Sequence, residues 1–150
     1  MNFDESLQQY TYEYEGVIFV WDEEPDCGFM DKVQLLAKNY RKNINRIINF
    51  MLADLKEMYG DVSEEDVKNK LGKPIIDYNQ GTVSYCEQTF DDWHLFEFEF
   101  LDDQFEKLKC FSVNGYRRDL WNSQYLDFLC RKRIQERLFK MRALCYNIHK

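Results

Sequence analysis

Polar and apolar residues alternate near the start of the chain, then switch to helical spacing from about Met30. Tyr10, Tyr12 and Tyr14 alternate with polar residues and lead into Val17-Ile-Phe-Val-Trp21, so Tyr10 to Trp21 reads as strand. Gly16 marks a bulge or a turn between two short strands. Asp22 to Gly28, with Pro25 inside it, reads as a loop. Beyond it Val33, Leu36, Ala37, Tyr40, Ile44, Ile47, Ile48, Met51, Leu55 and Met58 recur at spacings of three and four. That stripe predicts one continuous helix of about eight turns, with Asp31 as N-cap and Gly60 as its stop. Ser63-Glu-Glu-Asp66 predicts a short second helix that ends at Gly72, before Pro74.

Along Trp93 to Leu101, His94, Phe96, Phe98 and Phe100 share one face and Trp93, Leu95, Glu97 and Glu99 the other. A turn over Asp102, Asp103 and Gln104 returns the chain through Phe105 to Val113. Centring it on Asp103 sets Glu99 opposite Lys107, Glu97 opposite Lys109, Phe98 opposite Leu108, Phe96 opposite Cys110 and Leu95 opposite Phe111. Charges then meet on one face and apolar groups on the other. Thr82 to Glu87 adds a further strand. From about Asn122, Leu126, Cys130, Ile134, Leu138, Met141, Cys145 and Ile148 stripe a second long helix. The expected fold is α+β: an antiparallel sheet of four to five strands packed with two long helices and one short helix, as one domain over residues 1–150.

The chain of 150 residues is 45% hydrophobic and 31% charged, with 6 Gly and 2 Pro, which excludes disordered and collagenous classes. Aromatic residues reach 17%, enough for ring packing to dominate the core. The opening Met1-Asn2-Phe3-Asp4-Glu5 lacks the basic and apolar regions of a secretory signal. Uninterrupted apolar runs stop at five residues, where a membrane helix needs about 20. Five scattered cysteines with no Cys-x-x-Cys pair fit free thiols, so a cytoplasmic protein without membrane contact is expected.

The net charge of −7 is unevenly spread. Residues 1–31 hold nine acids and no Lys or Arg, and residues 74–106 repeat that count. Residues 107–150 carry eleven Lys or Arg against three acids. Internal pairing of acidic strands with basic helices is the simplest account. The alternative is a regulatory or nucleic-acid-associated protein that uses Arg117, Arg118, Arg131, Lys132, Arg133, Arg137, Lys140 and Arg142 on phosphate. Three consecutive bases fan widely around a helix, and the acidic blocks repel phosphate, so nucleic acid is the weaker reading.

Catalytic signatures are missing: there is no Gly-x-Ser-x-Gly elbow, no phosphate-binding Gly-rich loop and no paired histidine set. Asp91, Asp92 and His94 form a local cluster with acid–base or metal chemistry, but a histidine hydrogen-bonded at a sheet margin is the favoured account, because no second histidine completes an ordinary metal site. No metal or cofactor is expected. The acidic N-terminal block offers more, because Tyr10, Tyr12, Tyr14 and Trp21 supply rigid amphipathic contact area. Asp22, Glu23, Glu24 and Asp26 beside them would steer a basic protein. Patterning alone does not separate a core-facing tyrosine row from an interface row.

Leu71-Gly-Lys-Pro74, Phe90-Asp-Asp-Trp-His-Leu-Phe-Glu-Phe-Glu-Phe100 and Val113-Asn-Gly115 are similar to stretches of bacterial α+β domains found near toxin genes. In size, acidity and aromatic strands the chain resembles small bacterial immunity proteins of polymorphic or contact-dependent toxin systems. That resemblance implies a non-enzymatic protein that neutralises a toxin domain by direct contact, and it carries over no catalytic residue. The expectation is an acidic aromatic surface, Tyr10, Tyr12, Tyr14, Trp21, Asp22, Glu23, Glu24 and Asp26, set against a basic partner.

Overall fold

A computed structural model describes residues 2–5 and 8–115. They form an α+β fold built on a seven-stranded sheet whose spatial order follows the chain, β1-β2-β3-β4-β5-β6-β7. The strands are β1 (Asn2–Asp4), β2 (Gln9–Tyr14), β3 (Val17–Trp21), β4 (Ile75–Asp77), β5 (Thr82–Tyr85), β6 (His94–Phe100) and β7 (Leu108–Gly115). The expected four or five strands therefore become seven, because β1 and β4 are three residues each and too short to show a period. The expected antiparallel sheet is also mixed: β3 and β4 run parallel, pairing Ile18 with Ile75 and Phe19 with Ile76. Gly16 is a turn rather than a bulge. Glu15 and Gly16 both take positive φ, 48° and 78°, between β2 and β3, the conformation that matches a two-residue hairpin to strand twist.

Parallel neighbours cannot be joined by a tight turn, so the chain leaves β3, runs through three helices and returns at β4. These are α1 (Phe29–Lys42), α2 (Ile44–Tyr59) and α3 (Glu64–Lys70). The single long helix expected over 30–60 is thus two helices, broken at Asn43. Asn43 supplies the reason: its side-chain amide donates to the Asn39 carbonyl at 3.2 Å and to the Gln104 carbonyl at 2.8 Å, competing with the helical ladder. The apolar stripe survives the break, since Val33, Leu36, Ala37, Tyr40, Ile47, Ile48, Met51 and Leu55 are all buried. Asp31 lies in the first turn rather than at the cap, because α1 starts at Phe29, whose ring is buried. Gly60 does close α2, with φ 85°. Ser63 and Asp66 form a reciprocal capping box on α3, which ends at Lys70 with Leu71 as its cap.

The helices cover one face of the sheet. There Phe19, Ile76, Val83, Tyr85, Phe96, Phe98 and Phe100 meet the helical stripe in a single cluster. Tyr40 and Tyr85 share a buried hydroxyl–hydroxyl bond of 2.6 Å, which satisfies both polar tips inside it. The β6–β7 hairpin exists, with a different register from the expected one. Glu99 faces Lys109 and Phe100 faces Leu108, then a bulge shifts the pairing so that Glu97 faces Ser112 and Phe96 faces Val113. Cys110 carries the strain of that bulge at φ 55°. The cause is a longer turn. Asp102 gathers the backbone N–H groups of Gln104, Glu106 and Lys107, while Phe105 drops into the core at 0% exposure. A charged pair still crosses the strands, Lys109 Nζ to Glu99 Oε2 at 3.1 Å. The long helix expected from Asn122 lies outside the described residues.

Phe105 is a loop residue that behaves as core, between the rings of Tyr40 and Phe100 at 5.8 and 4.9 Å. Phe105→Ala is therefore expected to cost about 3–5 kcal/mol in urea unfolding, as truncation of a buried aromatic does. A loss below about 1 kcal/mol would mean that the loop does not anchor the core.

Candidate functional site

β3 and β4 end side by side, and the residues that close them meet. Trp21, the last of β3, stacks on Tyr78, the first residue after β4, with centroids 4.5 Å apart and planes 9° from parallel. Phe29, the first residue of α1, sets its edge against Trp21 at 5.1 Å and against Tyr12 at 5.8 Å. The loop from Asp22 to Gly28 folds around this aromatic floor and leaves an open depression of about 360 Å³ lined by Trp21, Glu23, Glu24, Asp26, Gly28, Phe29, Lys32 and Tyr78. The location is the crevice outside the carboxyl ends of parallel strands, where open sheets with helical crossovers generally leave room for a ligand.

Local bonds fix the rim. The Gly28 N–H donates to Asp26 Oδ1 at 2.8 Å, which turns the loop into α1. Lys32 crosses the floor with its ammonium 4.9 Å from the Tyr78 ring centre and 2.7 Å from Asp103 Oδ2. Its hydrogen bond to Asp103 and its contact with Tyr78 raise its pKa, so it stays charged. Glu23 and Glu24 are exposed at the rim. Counting side chains in the depression, three carboxylates stand against one ammonium that already has its own carboxylate partner.

The eight residues expected to form the acidic aromatic surface do not stay together. Trp21, Glu23, Glu24 and Asp26 line the depression. Asp22 instead braces the loop: its Oδ1 accepts from Gln9 Nε2 at 2.6 Å, and its N–H donates to Asn79 Oδ1 at 3.0 Å. Tyr12 and Tyr14 pack against the main core on the helix-covered face. Tyr10 lies on the same face opposite Trp21, its ring 4.9 Å from Phe3. Sequence reasoning missed Phe29, Lys32 and Tyr78. The Asp77-Tyr-Asn-Gln-Gly81 stretch carried the signal of a strand end and turn, yet its neighbour across the sheet was not readable without the parallel pairing.

Asp91 and His94 do come together, with Asp91 Oδ2 2.6 Å from His94 Nδ1 and 2.5 Å from the Tyr59 hydroxyl that donates to it. Asp91 Oδ1 accepts from the backbone N–H groups of Trp93 and His94. Burial opposes the charge on Asp91, but these donors outweigh it and hold the carboxyl well below the usual range. Burial, reinforced by Asp91, pushes Tyr59 upward. The arrangement fastens the last turn of α2 to the start of β6. Asp92 is exposed. Among the described residues no group of three or more His, Cys, Asp or Glu is placed to hold a metal ion.

Asp77, the residue before Tyr78, is buried. Burial raises its pKa from 3.8 to about 6, the N–H of Gln80 opposes that rise, and the Asp22 charge adds to it. Because the folded value is the higher one, the folded state binds the proton more tightly. The benefit is complete below about pH 4 and is lost as pH climbs through 6. At neutral pH the buried charge costs at most about 3 kcal/mol. Asp77→Asn, which keeps an acceptor for Gln80, is expected to raise the melting temperature at pH 7 and to flatten the decline between pH 4 and 6. An unchanged pH profile would remove Asp77 as the titrating group.

No family model matches this chain, and comparison with curated proteins and with solved structures finds no match.

Proposed function

We propose that the protein is a non-enzymatic binding protein that holds a basic protein partner against the Trp21–Tyr78 depression. One observation carries the reading: a rigid aromatic floor of Trp21, Phe29 and Tyr78 is rimmed by Glu23, Glu24 and Asp26. The stacked rings lose little rotamer freedom on binding, so they offer contact area at low entropic cost. The rim acids would accelerate encounter with a positive surface and pair with arginine or lysine at its edge. The partner we favour is a toxin domain whose basic cleft normally takes phosphates, with these carboxylates in the phosphates' place and a cytoplasmic setting. The resemblance of Phe90 to Phe100 and the flanking stretches to immunity-type domains supports that choice. The alternative, phosphate binding through Arg131, Arg133 and Arg137, draws on residues outside the described ones, and the acidic rim works against it.

The test is capture of the tagged protein from its own cells with nuclease present, followed by kinetics with the recovered basic partner. Glu23→Lys with Glu24→Lys is expected to slow association at least about tenfold at low salt and to flatten its salt dependence. Trp21→Ala is expected to act on dissociation instead, by about 2 kcal/mol. If neither variant alters binding, the depression is not the interface. If only nucleic acid is recovered once nuclease is omitted, the protein-binding reading fails.

A further inference from the structure

Lys32 is the single cation among the residues that line the depression, beside three carboxylates, yet it pairs with none of them. A helical side chain leans toward the N-terminus of its helix. From Lys32, in the first turn of α1, that direction leads to the acidic loop. The backbone ties the two together: the Lys32 N–H donates to the Gly28 carbonyl at 3.1 Å, and the Gly28 N–H donates to Asp26 Oδ1 at 2.8 Å. Charge attraction alone would draw the ammonium onto the rim. Instead it bonds Asp103, 71 residues further along the chain, at 2.7 Å.

Asp103 competes well because its turn is fastened on several sides. Its carbonyl accepts from Asn39 Nδ2 at 2.9 Å, and the Gln104 carbonyl accepts from Asn43 Nδ2 at 2.8 Å. Asp102 gathers the N–H groups of Gln104, Glu106 and Lys107, and Phe105 is sunk in the core. A carboxylate placed in advance costs less ordering entropy to pair than one on an exposed loop. Asp103 is also 33% exposed and Lys32 30%, so solvent screens the pair less than it screens Glu23 and Glu24.

We propose that Asp103 is a positioning residue for the depression: it keeps Lys32 off the rim carboxylates and so leaves them free for an arginine of the basic partner. The proposal rests on the cation-binding role of the depression and adds the contact that controls it. A guanidinium suits the site because it is planar, less strongly hydrated than an ammonium, and able to pair with a rim carboxylate beside the aromatic floor. Without Asp103, Lys32 becomes an internal competitor for the same carboxylates.

Two measurements on the full-length protein test it. Carbodiimide cross-linking, read by peptide mass spectrometry, should join Lys32 mainly to Asp103 in the unaltered protein. In Asp103→Asn, which keeps the size and turn preference of the residue, the link should move to Glu23, Glu24 or Asp26. Rim links dominating in the unaltered protein, or none in the variant, overturn the proposal. Acetyl-arginine amide is then titrated, with the Trp21 indole N–H resonance, assigned through Trp21→Phe, as the reporter. Asp103→Asn should weaken binding of this probe at least about threefold. In a Lys32→Met background the same change should alter affinity by less than about 1.5-fold, because the competitor is gone. Equal losses in both backgrounds mean a bulk charge effect and overturn the proposal alone. A Trp21 resonance that stays fixed in every variant at high probe concentration overturns the cation-binding role of the depression, and the proposal with it.

Discussion

The parallel pairing of β3 with β4 is the constraint on which the other features depend. Two parallel neighbours must be connected over the sheet, so the whole helical layer, α1 to α3, becomes one crossover on a single face. The same pairing brings the carboxyl ends of two strands together and leaves Trp21 and Tyr78 adjacent although 57 residues separate them in sequence. The acidic loop that begins the crossover then has nowhere to go except around those rings. The depression thus follows from connectivity, and its charge from the residues that the loop carries.

A second set of contacts locks the crossover to the far end of the sheet. Asn39 and Asn43 donate to the carbonyls of Asp103 and Gln104, and Lys32 holds the Asp103 carboxylate at 2.7 Å. Phe105 fills the space beneath, against Tyr40 and Phe100. The β6–β7 turn is consequently part of the core rather than a surface connection, and the turn expected over Asp102, Asp103 and Gln104 gives way to a longer, inward-folded loop. Lys32 belongs to both systems, because the side chain that reaches Asp103 also lies over Tyr78. The helix-to-turn contacts therefore help to set the floor of the depression.

The buried polar groups fall into two kinds. Tyr40 with Tyr85, and Asp91 with Tyr59 and His94, are matched donors and acceptors that join helix to strand. Asp77 is different: burial resists its charge and the Asp22 charge adds to that, while Gln9 donates only a long bond of 3.5 Å, so a penalty is stored at neutral pH. Thr82, its partner across the strands, has a buried hydroxyl with no hydrogen bond among the described residues. Both lie on the second face of the sheet, apart from the main core.

Local patterning was enough to specify the α+β class, the helical stripe from Val33 to Leu55, the Ser63 capping box and the inward row of Phe96, Phe98 and Phe100. Each rests on short-range periodicity or a local cap, and a few neighbouring residues carry that information in full. The break at Asn43, the strands β1 and β4, the parallel step and the register of β7 were set only when distant parts of the chain met. Gln104 is the remote partner for Asn43, Ile18 and Phe19 for β4, and the buried Phe105 for the hairpin. Half of the candidate surface was legible for the same reason. Trp21, Glu23, Glu24 and Asp26 lie close together in the chain, whereas Tyr78 and Lys32 join them only once the sheet is paired, and Tyr12 and Tyr14 are claimed by the core once α1 covers their face.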